Sequence, residues 1–262
     1  AVDGCSYELA HFYSGTWSET VKTLKEKGCK VTYMAAAHDV QESKKEHELL
    51  GLSYEIYPHL TDPSLFQRYL SGYREADVLI CPSTHSAAVM RGFGCSNKIE
   101  VIPHGTDLPR GELQSLPEKF TLGYLGAIGP DKGLIYLLKA WKELNYKDGS
   151  RLVFAGGHTV ANYFNTFASA ILQEKPSFFN KFDKNTFVWH ESCVVATGWV
   201  DNVSDFYNNI SCYVQPSVTE GFGIEVLEAM AHGRPVVCST GAGAVDVIPS
   251  AWSFPARDVT KL

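Results

Sequence analysis

No stretch of this chain is apolar for the roughly 20 residues that a membrane-spanning helix requires, and no signal-peptide pattern stands at its start, which is Ala1. Positive charge is not in excess. Lys and Arg number 23 against 29 Asp and Glu, for a net charge of -6, so bulk charge holds neither nucleic acid nor an anionic membrane surface. The seven cysteines, at 5, 29, 81, 95, 193, 212 and 238, contain no C-x2-C pair. An odd number, several of them in apolar strands, reads as reduced core thiols and a cytoplasmic location. Two sequons, Asn202-Val203-Ser204 and Asn209-Ile210-Ser211, are chance matches without a secretory route. His, Cys and Asp do not cluster at metal-ligand spacing, so no metal is expected. Internal repeats and low-complexity tracts are also missing. What is present is a core-forming composition: 262 residues, 45% hydrophobic and 12% aromatic, enough for one to two domains.

Apolar runs and helical patterns alternate along the chain, which predicts parallel sheets. In the first half, strands are expected at Tyr7–Tyr13, Lys30–Ala37, Leu52–Tyr57, Asp77–Cys81 and Lys98–Ile102. Between them lie a helix opened by the capping box Thr16…Glu19 and carrying Trp17, Val21 and Leu24 inward. Another begins at Asp62-Pro63, with Leu65, Tyr69 and Tyr73 on one face, and a third is capped by Ser83 and ends near Gly94. Residues 108–119 shift to Pro, Gly and charge and read as a linker between a domain at 1–107 and a second at 120–262. The second is expected to run as strand Phe120–Leu125, glycine loop Gly126–Gly133, and a helix carrying Leu134, Leu137, Leu138, Trp141 and Leu144 inward. Strand Arg151–Ala155 follows, then a partly helical segment Thr159–Trp189, strand Val194–Thr197 and a short helix at Asp205–Asn209. Phe254–Asp258 reads as loop.

The most informative stretch is Tyr213–Pro249. Strand Cys212–Val214 ends at Pro216-Ser217, Glu220-Gly221-Phe222-Gly223 follows, and a helix at Ile224–Ala231 is stopped by Gly233 and Pro235. Strand Pro235–Cys238 then leads to Gly241-Ala242-Gly243. Glu220 and Glu228 stand eight positions apart, roughly 12 Å along a helix and on nearly the same side. An arbitrary pair of this kind is ordinarily two solvated glutamates. Here a glycine-flanked helix start lies between them, and its N–H groups make an anion site. Carboxylate, anion site, carboxylate fits the sugar, diphosphate and ribose of one elongated ligand.

With those residues the chain resembles the retaining nucleotide-sugar glycosyltransferases of the GT-B fold, group 1 or family 4 type, with their E-x7-E motif; glycogen synthases and phosphatidylinositol mannosyltransferases are relatives. The resemblance rests on His38-Asp39-Val40, Pro82-Ser83-Thr84, Ile102–Asp107 (IPHGTD), Leu125–Gly133 (LGAIGPDKG) and the E-x7-E stretch, in the family's order. It implies an α/β protein with two Rossmann-like parallel-sheet domains facing a cleft, the first incomplete and the chain short at both ends. It also implies transfer of a hexose from a nucleoside diphosphate sugar, such as a UDP- or GDP-sugar, to a sugar, lipid or small-molecule acceptor, with no metal and no cofactor.

By the same resemblance, His38 faces the donor sugar, Glu220 takes that sugar, and Lys132 meets the departing diphosphate. Glu228 takes the ribose hydroxyls. Gly126, Gly133, Gly221, Phe222 and Gly223 bring backbone to the donor, and Trp199-Val200 lies near the base. Asp39, His104, Gly105 and Asp107 line the cleft. His59, His85 and His190 have no motif around them and read as structural. Many relatives carry an arginine immediately after the glycine corresponding to Gly126; this chain has Ala127, which removes that phosphate contact unless another donor replaces it. Two alternatives stand beside transfer: a non-catalytic nucleotide-sugar-binding fragment and a sugar-nucleotide epimerase of the same architecture. With an edge strand near Tyr7, self-association is expected, as is nucleotide binding with slow transfer.

Overall fold

The computed structural model describes residues 7–13, 18–37, 39–52, 62–109, 112–145, 148–157, 163–181 and 184–262, with backbone alone for 178–181, 184 and 185. Two units make up the chain. Ala1–His104 with Glu220–Phe222 form the first, and Gly105–Thr219 with Gly223–Leu262 the second.

The first unit is a four-stranded parallel sheet in the order β1 (Leu9–Phe12), β2 (Lys30–Met34), β3 (Val78–Cys81) and β4 (Lys98–Val101). Its helices are α1 (Ser18–Glu26), α2 (Val40–Leu49), α3 (Pro63–Glu75) and α4 (Thr84–Gly92). Local chemistry fixes where they begin. Asp62 Oδ1 accepts from the Ser64 and Leu65 amides, and Pro63 supplies a helical φ at the first turn. The Ser83 hydroxyl oxygen likewise accepts from the Ser86 amide to open α4. Val31, Tyr33, Leu79 and Cys81 of the strands are fully buried under Val21, Leu24 and Tyr73 of the helices. One expectation fails on α3. Leu65 is 40% exposed, because residues four apart drift round the helix, and the packed stripe is Phe66, Tyr69, Leu70, Tyr73 at spacing 0, 3, 4, 7. Thr16, Trp17, His59 and most of the expected strand at Leu52–Tyr57 lie outside the described residues.

The second unit holds β5 (Thr121–Leu125), β6 (Arg151–Ala155), β7 (Ser177–Lys181), β8 (Lys184–Trp189), β9 (Val194–Ala196), β10 (Cys212–Gln215), β11 (Val236–Ser239) and β12 (Ser253–Phe254). The sheet order is β12-β11-β10-β5-β6-β9-β8-β7. From β12 to β9 every pairing is parallel; β8 and β7 are antiparallel. The helices are α5 (Leu134–Leu144), α6 (Tyr163–Leu172), α7 (Val203–Asn208) and α8 (Ile224–Ala231). Parallel strands covered on both faces need apolar residues on both, and β10 meets this with Tyr213 and Val214 both at 0% exposure.

The segment expected to be helical in part is so: it holds α6 and then the β7–β8 hairpin, whose Trp189 is buried edge-on to Phe164 at 6.1 Å. Two other expectations are corrected. Leu144, expected inward, is 55% exposed at the last turn of α5. Phe254, expected in a loop, is buried in β12, which pairs with β11. The stretch expected as a linker is tied down within the second unit. Arg234, 2% exposed, donates from Nη2 to the Gln114 carbonyl at 2.8 Å and from Nη1 to that of Ser115 at 3.4 Å.

Among the described residues no helix is long and apolar enough to cross a membrane. The described cysteines are free, and burial pushes the Cys81 and Cys212 thiols up to about 11. Thiolate is the reactive form. Iodoacetamide applied to the native protein is therefore expected to label half-exposed Cys193 well before fully buried Cys81; equal labelling rates by peptide mass spectrometry would contradict this burial.

Candidate functional site

In open α/β sheets ligands bind beyond the carboxyl ends of the strands, and in the second unit three loops meet there backbone on backbone. The Gly126 amide donates to the Ala155 carbonyl at 3.0 Å, Ile128 to Gly157 at 2.8 Å and Gly156 to Gly198 at 2.8 Å. Gly156 has φ +139°, and a Cβ there would lie 1.8 Å from the Gly126 carbonyl oxygen. Only glycine lets the ends of β5 and β6 approach this closely. Beside them opens a cavity of about 460 Å³, floored by Gly126, Ala127, Gly156 and Gly157 and walled by Trp199, Val200, Val203, Ile224, Glu225 and Glu228. Trp199 is 69% exposed, and Val203 and Ile224 are 40% exposed each. Trp199 is therefore not core packing; these three side chains form an exposed apolar lip of the cavity.

A second cavity of about 710 Å³ is lined by Gly105, Thr106, Asp107, Ser204 and His232, and it shares Val203, Ile224 and Glu228 with the first. A third, about 820 Å³, shares Trp199 and Val200 with the first and reaches Thr121 and Arg151, which open β5 and β6.

Glu228 stands on α8, which starts at Gly223 in a left-handed conformation with φ +93°. Its half-buried carboxylate is held from behind. The fully buried Tyr207 on α7 donates its hydroxyl to Glu228 Oε2 at 2.7 Å. Burial, and then the bond to Glu228, raise the Tyr207 phenol well above its usual range, so it stays a proton donor. His232 Nδ1 lies 2.7 Å from the Glu228 backbone carbonyl. A carbonyl only accepts, so Nδ1 carries the hydrogen, and in the neutral ring Nε2 accepts from the Ser204 hydroxyl at 3.0 Å. The His232 and Tyr207 rings pack with centroids 4.9 Å apart.

Lys132 ends a short 3-10 turn, Pro130–Lys132, that follows β5. That turn is braced by backbone: the Asp131 carbonyl accepts from the Val218 amide at 2.8 Å. Gly133 has φ +68°, and a Cβ there would sit 2.1 Å from the Pro216 carbonyl oxygen. Gly133 therefore packs loop on loop and lines neither of the cavities that meet at Glu228. Beneath, Tyr213 OH lies 2.6 Å from Gln215 Oε1, Gln215 Nε2 donates to Ser217 Oγ at 2.8 Å, and Ser239 Oγ donates to the Ser217 carbonyl. Lys132 is half-buried and does not line those two cavities.

In the first unit, Asp39 caps α2 by accepting from the Gln41 and Glu42 amides at 2.9 and 3.3 Å, and it lines a cavity of about 300 Å³ with His85. His104 stands edge-on to buried Phe222 at 5.1 Å. The Gly221 carbonyl accepts from Ser83 Oγ at 2.6 Å and Ser86 Oγ at 3.2 Å, with half-buried Glu220 beside it. His38 lies outside the described residues.

Of the expected site residues, Gly126, Trp199, Val200 and Glu228 therefore meet around one cavity, and Gly105 and Asp107 meet Glu228 around another. Sequence reasoning missed Gly156-Gly157, Ile224, Glu225, Ser204, Tyr207 and His232. The glycine pair at the end of β6 carries the same signal as Gly126 and could have been found. Nothing in the local pattern marks Tyr207.

A family model described as glycosyl transferases group 1 matches residues 119–262, more than half of the chain. The capsular polysaccharide biosynthesis glycosyltransferase CapM of Staphylococcus aureus is 29% identical over 161 residues, covering 60% of this chain and 38% of that protein. Among solved structures, Anabaena HepE in complex with UDP and glucose gives a TM-score of 0.66 at 14% identity, over 97% of this chain and 66% of that one. Sucrose-phosphate synthase from Thermosynechococcus elongatus gives 0.67 at 20%, over 99% and 63%. The chain spans 38% to 57% of the length of the first curated relatives it matches. The structural likenesses carry the α/β fold with parallel sheets.

Proposed function

We propose that this chain, which belongs to the glycosyl transferases of group 1, acts in the transfer of a hexose from a nucleoside diphosphate sugar to an acceptor hydroxyl, with retention at the sugar carbon and without a metal. The observation that carries the reading is Glu228. Its carboxylate is fixed by Tyr207 where two cavities meet, one of them bounded by strand-end glycines and an apolar lip. In this reading the base lies against Trp199 and Val200 and the ribose hydroxyls donate to Glu228. Gly126 and its neighbours give the donor close backbone contact, and Lys132 neutralises the departing diphosphate. Glu220 and His38 serve the sugar. HepE, described with UDP and glucose, supports a nucleotide-sugar partner, and the glycosyltransferase names of the curated relatives favour transfer over epimerisation.

The step balances without a protein nucleophile. The bond from the sugar carbon to the diphosphate oxygen breaks and its electron pair leaves with the diphosphate. The acceptor oxygen bonds to that carbon on the same face, through an oxocarbenium-like transition state. A leaving phosphate oxygen takes the acceptor's proton, while Lys132 stabilises the charge that develops there.

The test is calorimetric titration with UDP, GDP and ADP and their 2′-deoxy counterparts. Glu228→Gln is expected to weaken the preferred ribonucleotide by about 1.5–3 kcal/mol, the usual size of a hydrogen bond to a charged group, and its deoxy form much less. Equal losses for the two would mean that Glu228 only supports the helix.

A further inference from the structure

A glutamate on the second turn of a helix has three side-chain torsions to order before it can hold a diol, and fixing them in the complex alone would weaken binding. Here they are ordered in advance. Tyr207 is fully buried, and its ring packs against His232 at 4.9 Å and against Phe206 and Tyr213 at 5.5 and 6.1 Å. Its hydroxyl reaches Glu228 Oε2 at 2.7 Å and the Glu225 carbonyl at 3.3 Å, so its one hydrogen goes to the nearer, charged oxygen. That bond leaves a second lone pair on Oε2, and among the described residues no donor engages Oε1. His232 completes the bracket. It bonds the backbone of Glu228 through Nδ1 and Ser204 of α7 through Nε2, which ties α8 to the helix that carries Tyr207. A tyrosine needed only for packing could end in a phenyl ring; this one places a phenol on the carboxylate that faces both cavities.

We infer that Tyr207 is a positioning residue for Glu228, braced by His232, and that selection of a ribose over a 2′-deoxyribose donor depends on its hydroxyl. The inference rests on the reading that Glu228 receives the ribose, and the test separates the two. Affinities for UDP, GDP and ADP and for their 2′-deoxy forms are measured by calorimetry on the wild-type chain, Tyr207→Phe, Glu228→Gln and the double variant, with thermal unfolding alongside. Phenylalanine keeps the ring and its packing. Tyr207→Phe is expected to lower the ribo-to-deoxyribo affinity ratio by about tenfold, the scale of one charge-assisted hydrogen bond, and to lower it no further in the Glu228→Gln background. His232→Phe, which keeps a ring beside Tyr207 but removes both imidazole bonds, should shift the ratio in the same direction by less. If Glu228→Gln collapses the ratio while Tyr207→Phe and His232→Phe leave it intact and only lower the melting temperature, Tyr207 is a packing residue and the inference is wrong. If Glu228→Gln itself leaves the ratio unchanged, the ribose assignment fails first and this inference falls with it.

Discussion

Lys132→Ala is expected to cut sugar transfer by about 10²–10³-fold, the range seen when one group that stabilises developing negative charge is removed. It should also weaken nucleoside diphosphate by about 1.5–3 kcal/mol. The effect should be specific to the second phosphate, so the nucleoside monophosphate loses little. The physical ground is the bracing of the turn that carries Lys132. The Asp131 carbonyl and the Gly133–Pro216 approach brace Pro130–Lys132 through backbone, and both contacts survive truncation of the Lys132 side chain. Lys132→Arg keeps the charge but replaces a compact point donor by a planar fork, and should fall between the two. The readout is turnover together with calorimetric affinity for UDP and UMP, or the guanosine or adenosine pair if that base is preferred. Equal losses for diphosphate and monophosphate would remove Lys132 from the diphosphate site.

Gly156→Ala should be the most destabilising of the substitutions considered, by about 3 kcal/mol or more. The added methyl carbon would meet the Gly126 carbonyl oxygen at 1.8 Å and its carbon at 2.8 Å, and both atoms are backbone that cannot rotate aside. The φ of +139° adds strain for any L side chain. At roughly 2–4 °C per kcal/mol for a unit of this size, the melting temperature should drop by about 6–12 °C. Gly157→Ala, one position on, has nothing within 4 Å of the new carbon and should change stability by less than about 0.5 kcal/mol. Similar melting temperatures for the two variants would mean that the strand-end loops do not approach as described. Where Gly156→Ala folds at all, donor binding should fall with it, because the floor of the cavity must move.

The sheets and their order of elements were largely legible, because parallel strands buried on both faces write themselves as apolar runs, and caps such as Asp62-Pro63 and Ser83 mark helix starts within one turn. The helix Ile224–Ala231 was expected at the bounds it has, set by glycine on one side and Gly233 on the other. Legibility failed where the pattern was two-sided or nonlocal. Ser177–Trp189 puts aromatics at adjacent positions, Phe178 and Phe179, which hides the alternation expected of a strand. Leu65 and Leu144 sit on helices whose ends turn toward solvent. Gly126, Trp199, Val200 and Glu228, which meet around one cavity, were singled out through motif and strand-end position. Tyr207 and His232 were not, because the bonds of Tyr207 to Glu228 and of His232 to Ser204 arise from contacts between two helices that the sequence does not announce.

In the proposed function a nucleoside diphosphate binds the second unit with its ribose on Glu228. A crystal structure of the chain with the tightest-binding of UDP, GDP and ADP tests it most directly. The ribose 2′- and 3′-hydroxyls are expected within about 2.5–3.0 Å of the Glu228 carboxylate oxygens, with the base against Trp199 and Val200 and Tyr207 still bonded to Oε2. A nucleotide bound elsewhere, or one in the same cavity with its ribose turned away from Glu228, would contradict it.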